Sequence, residues 1–265
     1  MDKRYVGAAI LAPFLIFLFI GGVYLKVLLG LVSLMGMYEF YKVVKSKGIN
    51  CFYPLGYLAC VIYFVFLEYM YSGNNLMYLV IALTFISMCI PVFNNKYNFI
   101  DAGITVMGFI YIAMAFSFIV LLEQKEYGNY LIWFIFIVSW VADSAAYYCG
   151  KTFGKHKLSP IVSPKKSVEG FIGGICFAMI AAAIYGIIIS KYGVNIEVYH
   201  YIIMGLLGSV FGTVGDLIAS SIKRYVGVKD YSNLIPGHGG ILDRFDSILM
   251  VSVVFFYYVT FIIKL

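Results

Sequence analysis

About nine apolar stretches of helical length follow one another along the 265 residues of the chain. Most of them approach the ~20 residues that a helix needs to cross the hydrocarbon core of a bilayer. Only 12% of the residues are charged, whereas soluble domains carry about 25%. The sequence therefore predicts an all-α, polytopic integral membrane protein. The stretches cover residues 5–22, 27–41, 52–69, 76–93, 102–122, 131–148, 171–190, 201–221 and 247–263.

The first stretch follows Lys3 and Arg4, an arrangement that is also typical of a signal peptide. No small-residue cleavage site follows it, so we expect a retained first helix. The chain has no hydrophilic segment long enough for a soluble domain. We therefore expect one membrane domain, 1–265, with N-terminal helices in 1–130 and C-terminal helices in 131–265.

Basic residues are unequally distributed over the two ends of the predicted helices. Fifteen Lys and Arg residues fall on one side of the membrane and four on the other. Because short basic loops stay in the cytoplasm, this pattern predicts a cytoplasmic N-terminus and an external C-terminus. It also explains the net charge of +6 without nucleic-acid binding. The compact chain without a long leader favours a bacterial inner membrane.

Four aspartates lie at the predicted cytoplasmic ends of three helices. Asp143 and Asp216 are near the ends of the sixth and eighth stretches, and Asp243 and Asp246 begin the ninth. A carboxylate within the bilayer costs roughly 2.5–3.5 kcal/mol, so each must face water, the bundle interior or a partner. Structural roles remain open: Asp243 or Asp246 could cap the ninth helix, and Asp216 could pair with a lysine. We regard Glu39, at the end of the second stretch, as structural.

Two basic, polar loops flank these aspartates, at 149–170 and 222–246. The second contains a Gly-rich turn, 236–240, whose backbone N–H groups could approach an oxyanion. The first contains the run 163–167 directly before a helix, and a helix N-terminus favours anions. Ordinary positive-inside loops would explain some of these lysines equally well. Together with the carboxylates, the two loops predict a polar site for metal-assisted handling of a polyphosphate.

The residues of these loops resemble the signature of the phosphatidate cytidylyltransferase family. The resemblance extends over about 143–246 and includes the cluster of Asp143, Ser144, Tyr147 and Gly150 and the run 163–170. The signature positions are Ser220, Ile222, Lys223, Arg224, Lys229, Asp230, Ser232, Ile235, Pro236, His238, Gly239, Gly240, Ile241, Asp243, Arg244, Phe245 and Asp246.

The resemblance implies transfer of a cytidylyl group from CTP to phosphatidic acid, with Asp216 and Asp243 as ligands of Mg²⁺. The resemblance also implies a potassium ion beside the magnesium and a homodimeric assembly. We expect catalytic roles for Asp216, Lys223, Arg224, Asp243, Arg244 and Asp246. We expect substrate-binding roles for Asp143, Ser144, Ser163, Lys165, Lys166, Ser220, Lys229, His238, Gly239 and Gly240.

Two other functions remain open from the residues alone. A CTP-dependent kinase of a polyprenol or lipid alcohol would use the same nucleotide and the same membrane face, but would release CDP. An ion or anion transporter would need a polar path through the outer half of the helices, where the sequence offers few polar groups.

Overall fold

The computed structural model describes residues 15–235, 237 and 239–265. Within this part of the chain, seven helices are long and apolar enough to cross a membrane. Tyr53–Val65 is a further, shorter apolar helix. The prediction of an all-α, polytopic membrane protein is therefore confirmed. Most of the first predicted span, 5–22, lies outside the described residues, and its residues 15–20 are helical.

Between Gly22 and Glu123 the chain forms six α-helices and one π-helical segment, which lies between α5 and α6. The π-helical segment spans Phe109–Met114, and the α-helices are α1 (Gly22–Lys45), α2 (Tyr53–Val65), α3 (Leu67–Tyr71), α4 (Asn75–Phe93), α5 (Phe99–Gly108) and α6 (Ala115–Glu123).

The second half contains four long helices and an antiparallel hairpin. The helices are α7 (Gly128–Phe153), α8 (Val168–Ser190), α9 (Val198–Val226) and α10 (Leu242–Tyr258), which continues as a π-helical turn, Val259–Ile263. The hairpin, between α7 and α8, consists of β1 (Lys157–Ser159) and β2 (Ser163–Ser167), with Lys157 paired to Ser167 and Ser159 to Ser163.

The long helices α7 and α9 extend further than the apolar stretches that predicted them. The two predicted polar loops include helix ends, because α7 continues to Phe153 and α9 to Val226. The irregular parts are therefore shorter than predicted, and the second is the segment 227–241, here called the signature loop. Long polar side chains can reach water from the last turn of a membrane helix, so a helix does not end where its apolar pattern ends.

The chain divides into two compact units. The N-terminal unit comprises Met1–Val120 and Tyr225–Arg244, and the C-terminal unit comprises Leu121–Arg224 and Phe245–Leu265. The signature loop thus belongs to the N-terminal unit. The expected grouping of helices into 1–130 and 131–265 stays a prediction.

The N-terminal unit is held together by polar contacts among buried groups. The Tyr41 hydroxyl donates to the backbone oxygen of Thr105 at 2.7 Å, and the Thr105 hydroxyl oxygen accepts from the Phe52 N–H at 2.9 Å. Asp101 and Asn98 cap each other at the start of α5. These bonds satisfy polar groups that would otherwise be costly to bury, and they fix α1 and the start of α2 against α5.

The C-terminal unit packs α8 closely against α7 through glycines. A Cβ atom on Gly170 would lie 2.6 Å from the Ala146 backbone oxygen, and one on Gly174 would lie 3.0 Å from that of Ala142. Small residues at these positions let the backbones of the two membrane helices approach closely. Near the other end of α7, Phe134 is fully buried and stacks on Tyr185 with ring centroids 5.1 Å apart.

Candidate functional site

Asp216 is the centre of a polar cluster in the C-terminal unit. One turn further along α9, the Ser220 hydroxyl donates to Asp216 Oδ1 at 3.1 Å. The second oxygen, Oδ2, forms an ion pair with Lys166 Nζ at 2.6 Å. The structure therefore shows the lysine partner that the sequence left open as a structural role for Asp216. Both side chains remain about one quarter exposed, so the pair is accessible to water and to a ligand.

Hydrogen bonds at the start of α8 hold the hairpin that carries Lys166. The Ser167 hydroxyl caps α8 by accepting from the Gly170 N–H at 3.1 Å. Glu169 lies in the first turn of α8 and accepts from the backbone N–H groups of Lys155 and His156. His156 Nδ1 also contacts this carboxylate at 2.6 Å. The predicted basic loop thus contains a hairpin with fixed contacts, and this hairpin carries Lys165 and Lys166.

Two further aspartates belong to the same unit. The Ser247 hydroxyl donates to Asp143 Oδ2 at 3.4 Å, and the Ser247 N–H donates to Asp246 Oδ1 at 2.9 Å. Asp246 interacts electrostatically with Asp216, Asp143 and Lys223. Lys223 is buried, with 7% of its surface exposed. Asp246 on α10 is therefore within electrostatic range of two further carboxylates and a buried cation, on α7 and α9.

A cavity of about 360 Å³ opens beside this cluster. Among the predicted substrate-binding residues, Asp143, Lys165 and Lys166 line it, together with Asp216. Ser144 is exposed on α7 next to Asp143, and Arg224 reaches the other side of the hairpin, where its Nε donates to the Val162 backbone oxygen at 3.3 Å. The cavity offers lysines for phosphate oxygens and carboxylates for a cation within one space.

The donor atoms of this cluster fit magnesium by their chemistry. Mg²⁺ prefers carboxylate oxygens, commonly one or two of them with water and substrate phosphates completing its shell. Asp216 and Asp143 supply such oxygens at the cavity. Within the described part of the chain, no group of three or more acidic, His or Cys side chains is already arranged as a metal centre. An ion here would therefore depend on oxygens from water and substrate.

The N-terminal unit holds the other half of the predicted signature. Asp243 Oδ2 accepts from the N–H groups of Tyr231 at 2.8 Å and Gly240 at 2.9 Å. Asp243 therefore binds the backbone of the signature loop from the first turn of α10. Gly239 has a φ of 82° and bridges back to Ile235. That positive φ explains the glycine at position 239.

Three more of the predicted site residues are Lys229, His238 and Arg244. His238 lies outside the described residues. Lys229 and Arg244 are exposed in the N-terminal unit. Since Asp216 and Asp243 belong to different units, the prediction that they ligate a common magnesium ion stays a prediction.

Glu39, which the sequence predicted to be structural, binds the signature loop, a role that the sequence did not specify. It lies on α1, is 1% exposed, and accepts three hydrogen bonds. The donors are the Ser232 hydroxyl at 2.6 Å, the Ile241 N–H at 3.0 Å and the Leu242 N–H at 3.0 Å. A Cβ on Gly240 would lie 2.6 Å from both Glu39 oxygens. Glu39 thus holds the signature loop and the start of α10, and the second glycine of the turn makes room for it.

The only sequence signal for this role was an acidic residue within an apolar stretch. A membrane-embedded carboxylate is a candidate for function by default. The partners of Glu39, however, are 193 to 203 positions away along the chain. No local pattern connects residues at such a separation.

Known proteins are similar to this chain over most of its length. The sequence profile of the Cytidylyltransferase family matches residues 2–262. A phosphatidate cytidylyltransferase of Bacillus subtilis is 34% identical over 256 residues, which cover 94% of each chain. Proteins of the same name from Staphylococcus saprophyticus and Staphylococcus aureus are 41% and 40% identical over 172 and 174 residues. With these staphylococcal proteins, the match spans 64% of this chain and 64% of theirs.

Proposed function

Because this chain belongs to the cytidylyltransferase family, we propose that it transfers the cytidylyl group of CTP to phosphatidic acid. A phosphate oxygen of the lipid attacks the α-phosphorus of CTP, the bond to the β-phosphate breaks, and pyrophosphate leaves. The observation that carries this proposal is the cavity in the C-terminal unit, where Lys165 and Lys166 lie with Asp143 and Asp216. Lysines there suit the triphosphate, and carboxylates suit its cation.

The chemistry asks little of a general base. The second pKa of a phosphate monoester is near ~6, so the lipid phosphate is mostly dianionic at neutral pH. The main barrier is the repulsion between two anions, and catalysis then consists of positioning and charge neutralisation. Lys166 would hold a triphosphate oxygen, while Lys223 and Arg224 would neutralise the lipid phosphate or the departing pyrophosphate. Arg244 is proposed for the same task, with Asp246 orienting it or a bound water.

Magnesium is the proposed cofactor. Asp216 would hold it, and Asp143 is available at the same cavity for the nucleotide or for a second cation, which would be potassium. Asp243 remains the second ligand expected from the family resemblance. When bound, the divalent ion would lower the charge on the triphosphate. The remaining predicted positions, Ser163, Ser220, Lys229, His238, Gly239 and Gly240, stay proposed substrate contacts.

We propose the bacterial inner membrane as the location, with the site on the cytoplasmic face, and a homodimer as the assembly. The apolar helices support an integral membrane protein, and the asymmetry of basic residues supports the orientation. CTP is available on the cytoplasmic side, which suits this arrangement.

The reaction is tested with the full chain purified in detergent. Phosphatidic acid, Mg²⁺ and each nucleoside triphosphate in turn are supplied, and pyrophosphate and the lipid product are measured. We expect pyrophosphate and CDP-diacylglycerol with CTP. Release of CDP in place of pyrophosphate would point to a kinase, and solute flux in sealed vesicles without nucleotide consumption would point to a transporter.

The metal assignment is tested by Asp216→Asn and Asp243→Asn, each made separately. Each change removes a carboxylate charge with little change of volume, so we expect both variants to insert in the membrane and to lose turnover. Glu197→Gln, at an exposed position between α8 and α9, is the matched control and should retain activity. Near-normal turnover in either aspartate variant would reject that residue as a ligand.

A further inference from the structure

A second cavity, of about 700 Å³, lies within the N-terminal unit. It is here called the lipid cleft. Helix α1 lines it from Leu34 to Lys42, Val61 of α2 lies on its wall, and Ser232–Leu234 of the signature loop contribute a further part. Its size is within the ~300–1,000 Å³ that is usual for small-molecule sites.

The lining of the lipid cleft changes along α1 from apolar side chains to a charged one. Leu34 and Met35 are apolar, as are Val61 and Leu234 on the facing segments. Lys42 lies two helical turns beyond Leu34, a separation of ~12 Å along the helix axis at 1.5 Å per residue. The cleft therefore combines an apolar part long enough for a segment of an acyl chain with a cation at one end.

The charges at the polar end favour an anion. Lys42 is exposed and its Nζ lies 5.6 Å from the centre of the Tyr38 ring. Such a cation–π contact contributes only ~0.5–1 kcal/mol at an exposed site, so a phosphate can replace it. Glu39 also lines the cleft, but its two oxygens accept the three hydrogen bonds from Ser232, Ile241 and Leu242. The cation is thus the group available to a ligand.

We propose that the lipid cleft is the docking site for the phosphatidic acid substrate, with its acyl chain between α1 and α2 and its phosphate at Lys42. This inference rests on the proposed function, which requires an anionic phospholipid to leave the bilayer and reach a polar site. The signature loop forms part of the cleft wall, so an occupied cleft lies directly against the segment that carries most of the signature residues.

The phosphate contact is tested by Lys42→Ala, with Lys45→Ala as the matched control. Both lysines are in the last turn of α1, but Lys45 lies over the Tyr53 ring and does not line the cleft. Because Lys42→Ala removes a charge-assisted hydrogen bond to the phosphate, we expect it to raise the lipid mole fraction at half-maximal rate at least tenfold. The KM for CTP and the rate at saturating lipid should not change. Equal effects of both substitutions, or an effect on CTP alone, would overturn the assignment.

The apolar part is tested by Val61→Trp, which places a large ring in the cleft. Ile86→Trp on α4 is the control, because Ile86 is 51% exposed, close to the 46% of Val61, and lies away from the cleft. We expect Val61→Trp alone to raise the half-maximal lipid mole fraction at least as strongly as Lys42→Ala. Unchanged lipid dependence would remove the acyl chain from this cleft.

A direct measurement separates this proposal from the proposed function. Phosphatidic acid with a photoreactive diazirine near the middle of one acyl chain is bound to the purified chain, and the labelled peptides are sequenced. Labelling within 34–42 and 57–61, competed by dioleoyl phosphatidic acid and not by dioleoyl phosphatidylcholine, is the expected result.

Equal competition by both lipids would mean that the cleft holds bulk lipid. Crosslinking of a cysteine introduced at Val61 to the same position of a second copy would mean that the cleft is a dimer contact. Either result would overturn the proposal. If the chain fails to form CDP-diacylglycerol, the proposed function fails, but the labelling pattern still reports on the cleft.

Discussion

At the residue scale, the signature loop depends on two carboxylates that bind its backbone. Asp243 accepts from Tyr231 and Gly240, and Glu39 accepts from Ser232, Ile241 and Leu242. The sequence predicted Asp243 as functional from its place in the signature. It could not predict the partners of Glu39, because hydrogen bonds that span 193 to 203 residues depend on the packing of α1, which leaves no local pattern.

We expect Glu39→Ala to disorder the signature loop and to lower activity by more than tenfold. The change leaves three donors without a partner, and each unsatisfied buried donor costs about 1–3 kcal/mol. Hydrogen exchange of the Ile241 and Leu242 amides measures the effect directly, and both amides should lose protection. Glu68→Gln is the control, because Glu68 pairs with Lys26 at the surface. Full protection of both amides in Glu39→Ala would show that other contacts hold the loop.

Lys166 and a divalent ion would compete for Asp216. Since Lys166 Nζ lies 2.6 Å from Asp216 Oδ2, we expect Lys166→Met to increase metal affinity and to raise the CTP concentration at half-maximal rate. Binding of Mn²⁺, followed by electron paramagnetic resonance without nucleotide, separates the first effect from activity. Lys151→Met, an exposed lysine that also lines the cavity but lacks this ion pair, is the comparison. Unchanged Mn²⁺ affinity would mean that Asp216 does not bind the metal.

At the element scale, apolar periodicity and length predicted the helices well and their ends poorly. Predicted span 76–93 matches α4 closely, whereas 52–69 is divided between α2 and α3. The hairpin of β1 and β2 was missed because its strands, rich in Ser and Lys, lack the alternation of apolar residues that predicts a strand. Its bracing by Glu169 and Ser167 depends on side-chain contacts that only the folded chain shows.

The glycine contact between α7 and α8 is required to position the hairpin. A larger side chain at Gly170 would meet the Ala146 backbone oxygen and Gly150, so we expect Gly170→Val to separate the helices and to lower the apparent melting temperature strongly. Gly103→Ala on α5 is the control, because a Cβ there meets no atom within 4 Å. Fluorescence-detected thermal unfolding in detergent compares the two variants. Equal melting temperatures would show that α8 can move without loss of stability.

At the scale of the whole molecule, composition and charge were sufficient for the fold class, and the signature was sufficient for the family. The arrangement of the helices into two units, each made of separate chain segments, had no counterpart in the sequence pattern. Every helix shows an apolar surface of similar character, so hydropathy does not specify which helices pack together. In membranes that choice depends on small residues and a few polar contacts.

The predicted topology is tested with single cysteines on opposite sides, Lys157→Cys in the hairpin and Lys191→Cys after α8. Cys89, Cys149 and Cys176 are replaced by alanine, while the buried Cys51 and Cys60 are kept. Burial, with a contribution from Asp101, raises the pKa of the Cys51 thiol to about 12, so at pH 7.5 it stays protonated and unreactive towards maleimide. In right-side-out vesicles an impermeant maleimide should label position 191 alone, and in inverted vesicles position 157 alone. The reverse pattern would place the cavity of the C-terminal unit outside the cell, away from CTP, and would refute the proposed reaction in that membrane.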